Sequence, residues 1–247
     1  MTTQRTKSRV AVVVGGSGGI GRAVSERLAA EGMSVVVHYS SGPQRAEDAV
    51  RAITDAGGTA TALSGDVADE SEMTAVFERT AQTYGGIDVV VNTAGIMVLA
   101  PIAQFDLDDF DRMHRVNVRG TFVVTQLAAR HLRAGGALIN FSTSITRLQT
   151  PTYAAYAATK GAVEAMTLVT ARELRGRDIT VNTVAPGPTA TPLFLAGKSE
   201  EVIDRIAGFS PMERLGSPAD IASVVAHLAG PARWVNGQTV FVNGGAA

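Results

Sequence analysis

The sequence has no cysteine. That removes disulfides, thiolate nucleophiles and cysteine-bound zinc together. Four histidines, His38, His114, His131 and His227, are scattered without metal-ligand spacing, so no metal site is expected. Aromatic residues make up 5% of the chain, which argues against a base-stacking surface. The formal net charge of -1 gives no global field for nucleic acid or an acidic membrane. No apolar run reaches the roughly 18 residues of a membrane span. The opening stretch, Met1 to Arg9, is polar and basic without an apolar segment and does not read as a secretory signal. A soluble cytoplasmic protein without nucleic-acid or membrane partners is the expectation.

Hydrophobic residues, at 45% of 247, suffice for a sizeable core, and this length suits one α/β domain over residues 1–247, with 1–8 a flexible N-terminus. Short apolar runs alternate with helical spacing. Strands are expected at Val10–Val14, Val35–His38, Thr59–Ser64, Ile87–Val91, Gly136–Phe141, Ile179–Val184 and Thr239–Val242. Helices are expected between them, including one unbroken helix over Asp108–Leu132 and another over Tyr153–Leu174. Seven continuous apolar strands alternating with helices predict a doubly wound, Rossmann-type parallel sheet covered on both faces. Gly187–Pro211, rich in Gly, Pro, Ser and Thr, is the candidate substrate lid.

The first strand runs into Gly15-Gly16-Ser17-Gly18-Gly19-Ile20-Gly21. Glycines allow close backbone approach, and the following helix N-terminus offers free N–H groups to a pyrophosphate. The spacing differs from the common G-x-G-x-x-G fingerprint, but the place after the first strand suits a dinucleotide. The second strand ends in His38-Tyr39-Ser40-Ser41, with no acid to hold ribose hydroxyls and repel a 2′-phosphate. That favours NADP(H) over NAD(H). Arg45 stands nearby as the basic residue able to reach back.

Tyr156 and Lys160 stand at i and i+4, sharing a helix face with Cβ atoms about 5–6 Å apart. A phenol with a pKa of about 10 is a poor acid or base at neutral pH. A neighbouring ammonium stabilises the phenolate and lowers that value. Tyr156 can then pass a proton to a carbonyl or take one from an alcohol.

Together these motifs resemble the short-chain dehydrogenase/reductase family along nearly the whole chain. The loop Gly15–Gly21 resembles its cofactor motif, through Gly15, Ser17, Gly19, Ile20 and Gly21. Asp66-Val67 resembles its adenine-contacting pair, and Asn92-Thr93-Ala94-Gly95 its Asn-Asn-Ala-Gly turn. Asn117 matches its helix asparagine, Tyr156 and Lys160 its catalytic pair, and Pro186-Gly187 with Thr189 its nicotinamide-side turn. Asn236-Gly237-Gln238 and Val242-Asn243-Gly244-Gly245 resemble its closing strand. The resemblance implies hydride transfer between NADP(H) and a carbonyl or alcohol substrate. It implies that Asn117 holds a water in a relay to Lys160, that Lys160 binds the nicotinamide ribose, and that a serine hydroxyl steadies the substrate oxygen. An ungapped count puts Thr143 in that place, with Ser142 and Ser144 open as alternatives. The sequence departs from the family at Val14, where threonine is usual, at Thr93 for asparagine, and at Gly18 for a frequent basic residue.

Met97, Leu99, Ile145–Thr150, Tyr153 and Leu193–Phe194 are expected around a moderately apolar substrate, with Arg147 the one charge able to meet an anion. In the family the long helices, here carrying Phe122, Val123, Val163 and Val169, pair between subunits, which implies a homo-oligomer, specifically a homotetramer. Two other readings stay open: an NAD-dependent alcohol dehydrogenase on the same scaffold, and a non-catalytic dinucleotide-binding protein. The latter has no need of Tyr156, Lys160 and Asn117 together.

Overall fold

The computed structural model describes residues 8–247, so the expected flexible stretch 1–8 lies, apart from Ser8, outside the described residues. Strands and helices alternate as β1 (Val10–Val14), α1 (Gly19–Ala30), β2 (Ser34–Tyr39), α2 (Pro43–Asp55), β3 (Thr59–Ser64), α3 (Glu70–Tyr84) and β4 (Ile87–Asn92). They continue as α4 (Leu107–His114), α5 (Gly120–His131), β5 (Leu132–Phe141), α6 (Ile145–Leu148), α7 (Ala154–Glu173) and β6 (Thr180–Pro186). The last elements are α8 (Pro192–Leu195), α9 (Glu200–Ala207), α10 (Pro218–Ala229) and β7 (Thr239–Val242). Among the described residues no helix is long and apolar enough to cross a membrane.

The seven strands form one sheet in the order β3-β2-β1-β4-β5-β6-β7, and every neighbouring pair is parallel. The doubly wound parallel sheet expected from the strand–helix alternation is the one found. Parallel strands need crossovers, and the crossover helices cover both faces. Successive side chains therefore serve opposite cores. Val13, Val35 and Val91 pack on one face with Leu28, Ile221 and Val225 from α1 and α10. Val12, Val36 and Val90 pack on the other with Phe77 and Leu127 from α3 and α5. All strand carboxyl ends lie along one edge. The strand order reverses direction between β1 and β4, which opens a crevice there.

The helix expected over Asp108–Leu132 is not one uniform α-helix. α4 and α5 are joined through a π-helical turn, Arg115–Arg119, centred on Asn117. The widened turn carries buried Asn117, whose side chain bonds to the backbone of Ile96 in both directions. Periodicity alone does not report such a one-residue insertion. Inside the expected lid, α8 adds a turn that starts at Thr191-Pro192. The threonine accepts from Phe194 N–H and the proline takes the first helical position.

The β1–α1 junction is where the fold is tightest. Gly15 has φ +74°, a left-handed conformation, and its N–H points to His38. A β-carbon on Gly21 would fall 2.2 Å from the Gly15 carbonyl oxygen and 2.6 Å from Thr93 Oγ1. These atoms belong to the turns that follow β1 and β4, so the helix would have to back away from the sheet. Gly21→Ala should lower unfolding stability by about 1–3 kcal/mol. Urea denaturation monitored by circular dichroism measures this, and a parental midpoint would contradict the packing.

Candidate active site

The crevice outside β1, β4, β5 and β6 is a cleft of about 240 Å³. Thr143, Tyr156, Lys160 and Pro186 line it, and among the described residues Lys160 is its one charged lining residue. Met97, Ile145, Leu148, Thr150, Tyr153, Leu193 and Phe194 form its apolar side, as the sequence suggested. Leu99 does not line it, and neither does Arg147, whose guanidinium lies 4.5 Å from the centre of the Phe241 ring. The one candidate for meeting an anionic substrate is thus engaged elsewhere. Ile206 and Phe209 also reach the cleft from the segment beyond α8; both lie within the lid range expected from the sequence, though neither was singled out there.

α7 delivers Tyr156 and Lys160 side by side because they are four residues apart. Lys160 is 4% exposed, lies 5.9 Å from the Tyr156 ring centre, and donates from Nζ to the Phe141 carbonyl at 2.9 Å. Burial lowers the Lys160 ammonium to about 8. Burial, with Tyr153 adding to it, pushes the Tyr156 phenol up to about 12. The expected lowering by Lys160 is therefore not what these residues produce by themselves; burial sets the direction. A β-carbon on Gly95 would sit 3.2 Å from Asn117 Oδ1 and 3.3 Å from Lys160 Nζ, so the bare glycine lets those two groups approach. Asn117 Nδ2 donates to Ile96 O at 2.9 Å and Thr159 Oγ1 at 3.0 Å, and its own carbonyl accepts from Thr121 Oγ1 at 2.7 Å. Thr159, one residue before Lys160, was not singled out from the sequence. Nothing in its spacing distinguishes it from a structural threonine.

At the end of β5 three hydroxyls follow one another, and their surroundings differ. Ser142 Oγ donates to Glu164 Oε1 at 2.5 Å. Ser144 Oγ donates to the Ala185 carbonyl at 3.3 Å and is 1% exposed. Thr143 is partly open to the cleft, and its Oγ1 accepts from Ile145 N–H at 3.4 Å. Among the described residues the Thr143 hydroxyl proton has no acceptor, so it alone of the three is free to donate into the cleft.

The glycine loop lies at the other end of the crevice. α1 begins at Gly18 with no side-chain cap and no acid in its first turn, leaving its first amides available to an anion. Ser17, Gly19 and Ile20 stand at that helix start, and a β-carbon on Gly19 would meet Thr191 Cγ2 at 2.9 Å. The segment after β6 thus rests directly on the loop. Ala94 also borders it: a β-carbon on Gly15 would come 2.9 Å from Ala94 N. Thr93 departs from the family's asparagine, and its hydroxyl donates to the Val14 carbonyl at 2.8 Å. Buried Asn92 shapes the same turn, bonding Thr121 Oγ1 and accepting from Ala94 N–H.

His38 does not stand among the exposed tip residues. It is 1% exposed, with Nδ1 toward Gly15 N–H at 3.3 Å and Nε2 toward the Gly65 carbonyl at 3.0 Å. That pairing makes Nδ1 the acceptor and Nε2 the donor in a neutral ring. Burial lowers its pKa to about 4. Tyr39 is half-buried, and Ser40 and Ser41 are exposed at the tip. Arg45 folds back onto Gly42, the next residue: a β-carbon there would be 2.9 Å from its Nε and Nη2. α2 likewise begins at Gly42 without a side-chain cap. Asp66 pairs with Arg115 at 2.7 Å, which holds its carboxyl below the ordinary range, while Val67 is buried against Gly120. Pro186 and Gly187 line the cleft where β6 ends, and Gly187 abuts Asn243 of the closing segment. Buried Thr189 donates to the Gly187 carbonyl at 2.9 Å.

A family model described as enoyl-(acyl carrier protein) reductase matches residues 15–247. A short-chain type dehydrogenase/reductase of Picea abies is 41% identical, over 96% of this chain and 92% of its own. The chain belongs to the short-chain dehydrogenase/reductase family. Within that family, an NADPH-dependent aldehyde reductase-like chloroplastic protein of Arabidopsis thaliana is 39% identical over 96% of this chain and 93% of its own. A short-chain dehydrogenase of Burkholderia cenocepacia, solved in complex with NADP, superposes with TM-score 0.91 at 37% identity, covering 98% of both chains. This short-chain dehydrogenase/reductase is thus an oxidoreductase by descent.

His38 is a latch under the glycine loop, and removing it leaves one buried N–H and one buried C=O without partners. His38→Leu should destabilise the protein by about 1–3 kcal/mol at pH 7. The pH dependence has a definite sign. The folded pKa of about 4 lies below the ordinary 6.5, so the unfolded chain takes up the proton first. This contribution is full above pH 6.5 and is lost as pH falls toward 4. Urea midpoints at pH 7 and 4.5 should therefore converge in the variant relative to the parent; an equal drop in both would rule out the buried neutral ring.

Proposed function

We propose that this enzyme transfers a hydride between NADP(H) and an uncharged, moderately apolar ketone or aldehyde, or the corresponding alcohol. The observation that carries the reading is that α7 sets a phenol beside an ammonium at a cleft into which one uncommitted hydroxyl, Thr143, can donate. In this assignment Tyr156 gives a proton to the substrate oxygen during reduction and takes one from the hydroxyl during oxidation. Thr143 donates to the same oxygen and offsets the charge that develops on it. The Lys160 charge favours the phenolate left on Tyr156, and its N–H groups not bonded to Phe141 are available to ribose hydroxyls. Asn117 is assigned the end of a water-mediated relay toward Lys160. Bound in the crevice, the cofactor supplies the hydride.

The residues present fit such a cofactor. The uncapped start of α1, with Gly15, Gly16, Gly19 and Gly21 packed too closely for a β-carbon, suits a pyrophosphate. Ala94, Gly95, Pro186, Gly187 and Thr189 are assigned the nicotinamide side, and Asp66 and Val67 the adenine side. Ser40, Ser41 and the returning Arg45 suit a 2′-phosphate, with the uncapped start of α2 beside them. His38 acts beneath them by fixing the loop. Among the described residues Lys160 is the one charge in the cleft lining, which supports an uncharged substrate. Residues 187–211, with Leu193, Ile206 and Phe209 facing the cleft, are the proposed lid.

Exposed Phe122 on α5 and Leu168 and Val169 on α7 give apolar faces that support self-association, and a homotetramer is the proposed form. The cytoplasm is the proposed compartment.

Tyr156→Phe should cut turnover of a carbonyl panel, followed by NADPH absorbance, by about 100-fold or more while NADPH still binds. Parental turnover would end the acid/base assignment. Ser40→Asp should shift the NADPH-to-NADH ratio of kcat/KM by about tenfold or more toward NADH, through like-charge repulsion of the 2′-phosphate. An unchanged ratio would place the phosphate elsewhere.

A further inference from the structure

Glu164 follows Lys160 by one turn, so Tyr156, Lys160 and Glu164 stand at i, i+4 and i+8 along one side of α7. The proposed mechanism uses the first two and gives the carboxylate no task. Glu164 does not line the cleft, and among the described residues no salt bridge includes it. Its hydrogen-bond partners are two hydroxyls, one from the β5–α6 loop and one from the first turn of α6. Ser142 Oγ donates to Glu164 Oε1 at 2.5 Å. Thr146 shares its single hydroxyl proton between the same oxygen, at 2.9 Å, and the Thr143 carbonyl, at 3.0 Å.

These contacts enclose Thr143. On its N-terminal side Ser142 is tied to Glu164, and on its C-terminal side Thr146 is tied to the same atom. Ser144 is fastened to β6 through its N–H to Pro186 O at 2.9 Å and its Oγ to Ala185 O at 3.3 Å. The loop is therefore clamped between α7 and β6, and the α7 end of the clamp is one carboxylate oxygen. A carboxylate accepts and never donates, so it fixes the direction of both hydroxyls. Because that oxygen rides on the helix that bears Tyr156, the clamp links the chain on both sides of Thr143 to α7.

We infer that Glu164 is a positioning residue for the reaction: it keeps the Thr143 hydroxyl in register with the Tyr156 phenol so that both meet one substrate oxygen. The inference rests on the roles proposed above for Tyr156 and Thr143. Glu164 acts through Thr143 and touches neither substrate nor cofactor. A displacement of about 1 Å in such a pair can cost up to about 100-fold in rate.

The test is a double-mutant cycle on the full-length holoenzyme, read by steady-state kinetics with NADPH and a carbonyl substrate that the parent turns over. Glu164→Met deletes the acceptor while keeping side-chain length. It should lower kcat by about tenfold or more, with KM for NADPH changed by less than about twofold. Glu164→Gln keeps an acceptor oxygen and should rescue most of that loss. On a Thr143→Val background the same Glu164→Met change should cost less than about twofold, because the hydroxyl it positions is gone. Equal losses in both backgrounds, or a glutamine variant as impaired as the methionine one, would overturn the inference. Should Glu164→Met not fold, Ser142→Ala combined with Thr146→Val deletes the donors instead and must reproduce the fall in kcat; parental kcat there overturns it equally. A parental Thr143→Val, by contrast, strikes at the role given to Thr143 itself.

Discussion

The hydrogen bond from Lys160 Nζ to the Phe141 carbonyl joins the two elements on which the site depends. It ties the middle of α7 to the last residue of β5, the strand whose end carries the three hydroxyls. An ammonium removed from water is costly unless it finds acceptors. That cost appears as a pKa lowered to about 8, and it makes Lys160 hold to what is near it. Two contacts from the same helix reinforce the join: Thr159 with Asn117 of the π-helical turn, and Glu164 with Ser142. The phenol is thereby set at a fixed place against β4, β5 and β6.

The second constraint is steric. Gly15, Gly19 and Gly21 sit where β-carbons would enter Ala94, Thr191 or the Gly15 carbonyl. The backbone of β1, the turn after β4 and the segment after β6 thus converge on one small volume. His38 supports that volume from below, as an uncharged spacer between Gly15 and Gly65. The start of α1 above it keeps free amides because glycine, not serine or aspartate, precedes the helix. Elsewhere α3, α9 and α10 are capped by Asp69, Ser199 and Ser217. Helix starts open to an anion therefore coexist with helix starts closed for stability.

Among the described residues, the cleft between these parts has one charge, deep in its wall, and otherwise apolar and hydroxyl groups. This division follows from the sheet. Parallel strands point their carboxyl ends at one edge, so loops from β1, β4, β5 and β6 must meet there. The uncapped start of α1 and the phenol and ammonium of α7 are thereby brought to a single crevice.

Much of this was legible in the chain. Val10–Val14 reads as a doubly covered strand because both faces are apolar, and Tyr156 with Lys160 must share a helix face because four residues nearly complete a turn. Such local rules need no knowledge of distant residues. What required the folded molecule were contacts between segments far apart in sequence. His38 is buried by Gly65, the π-helical turn is fastened to Ile96, Arg147 rests on Phe241, and Glu164 meets Ser142. Ser142, Thr143 and Ser144 look equivalent in one dimension. They differ because a carboxylate from α7 and carbonyls from β6 engage two of them, and which hydroxyl is left free is decided by neighbours that only chain folding brings together.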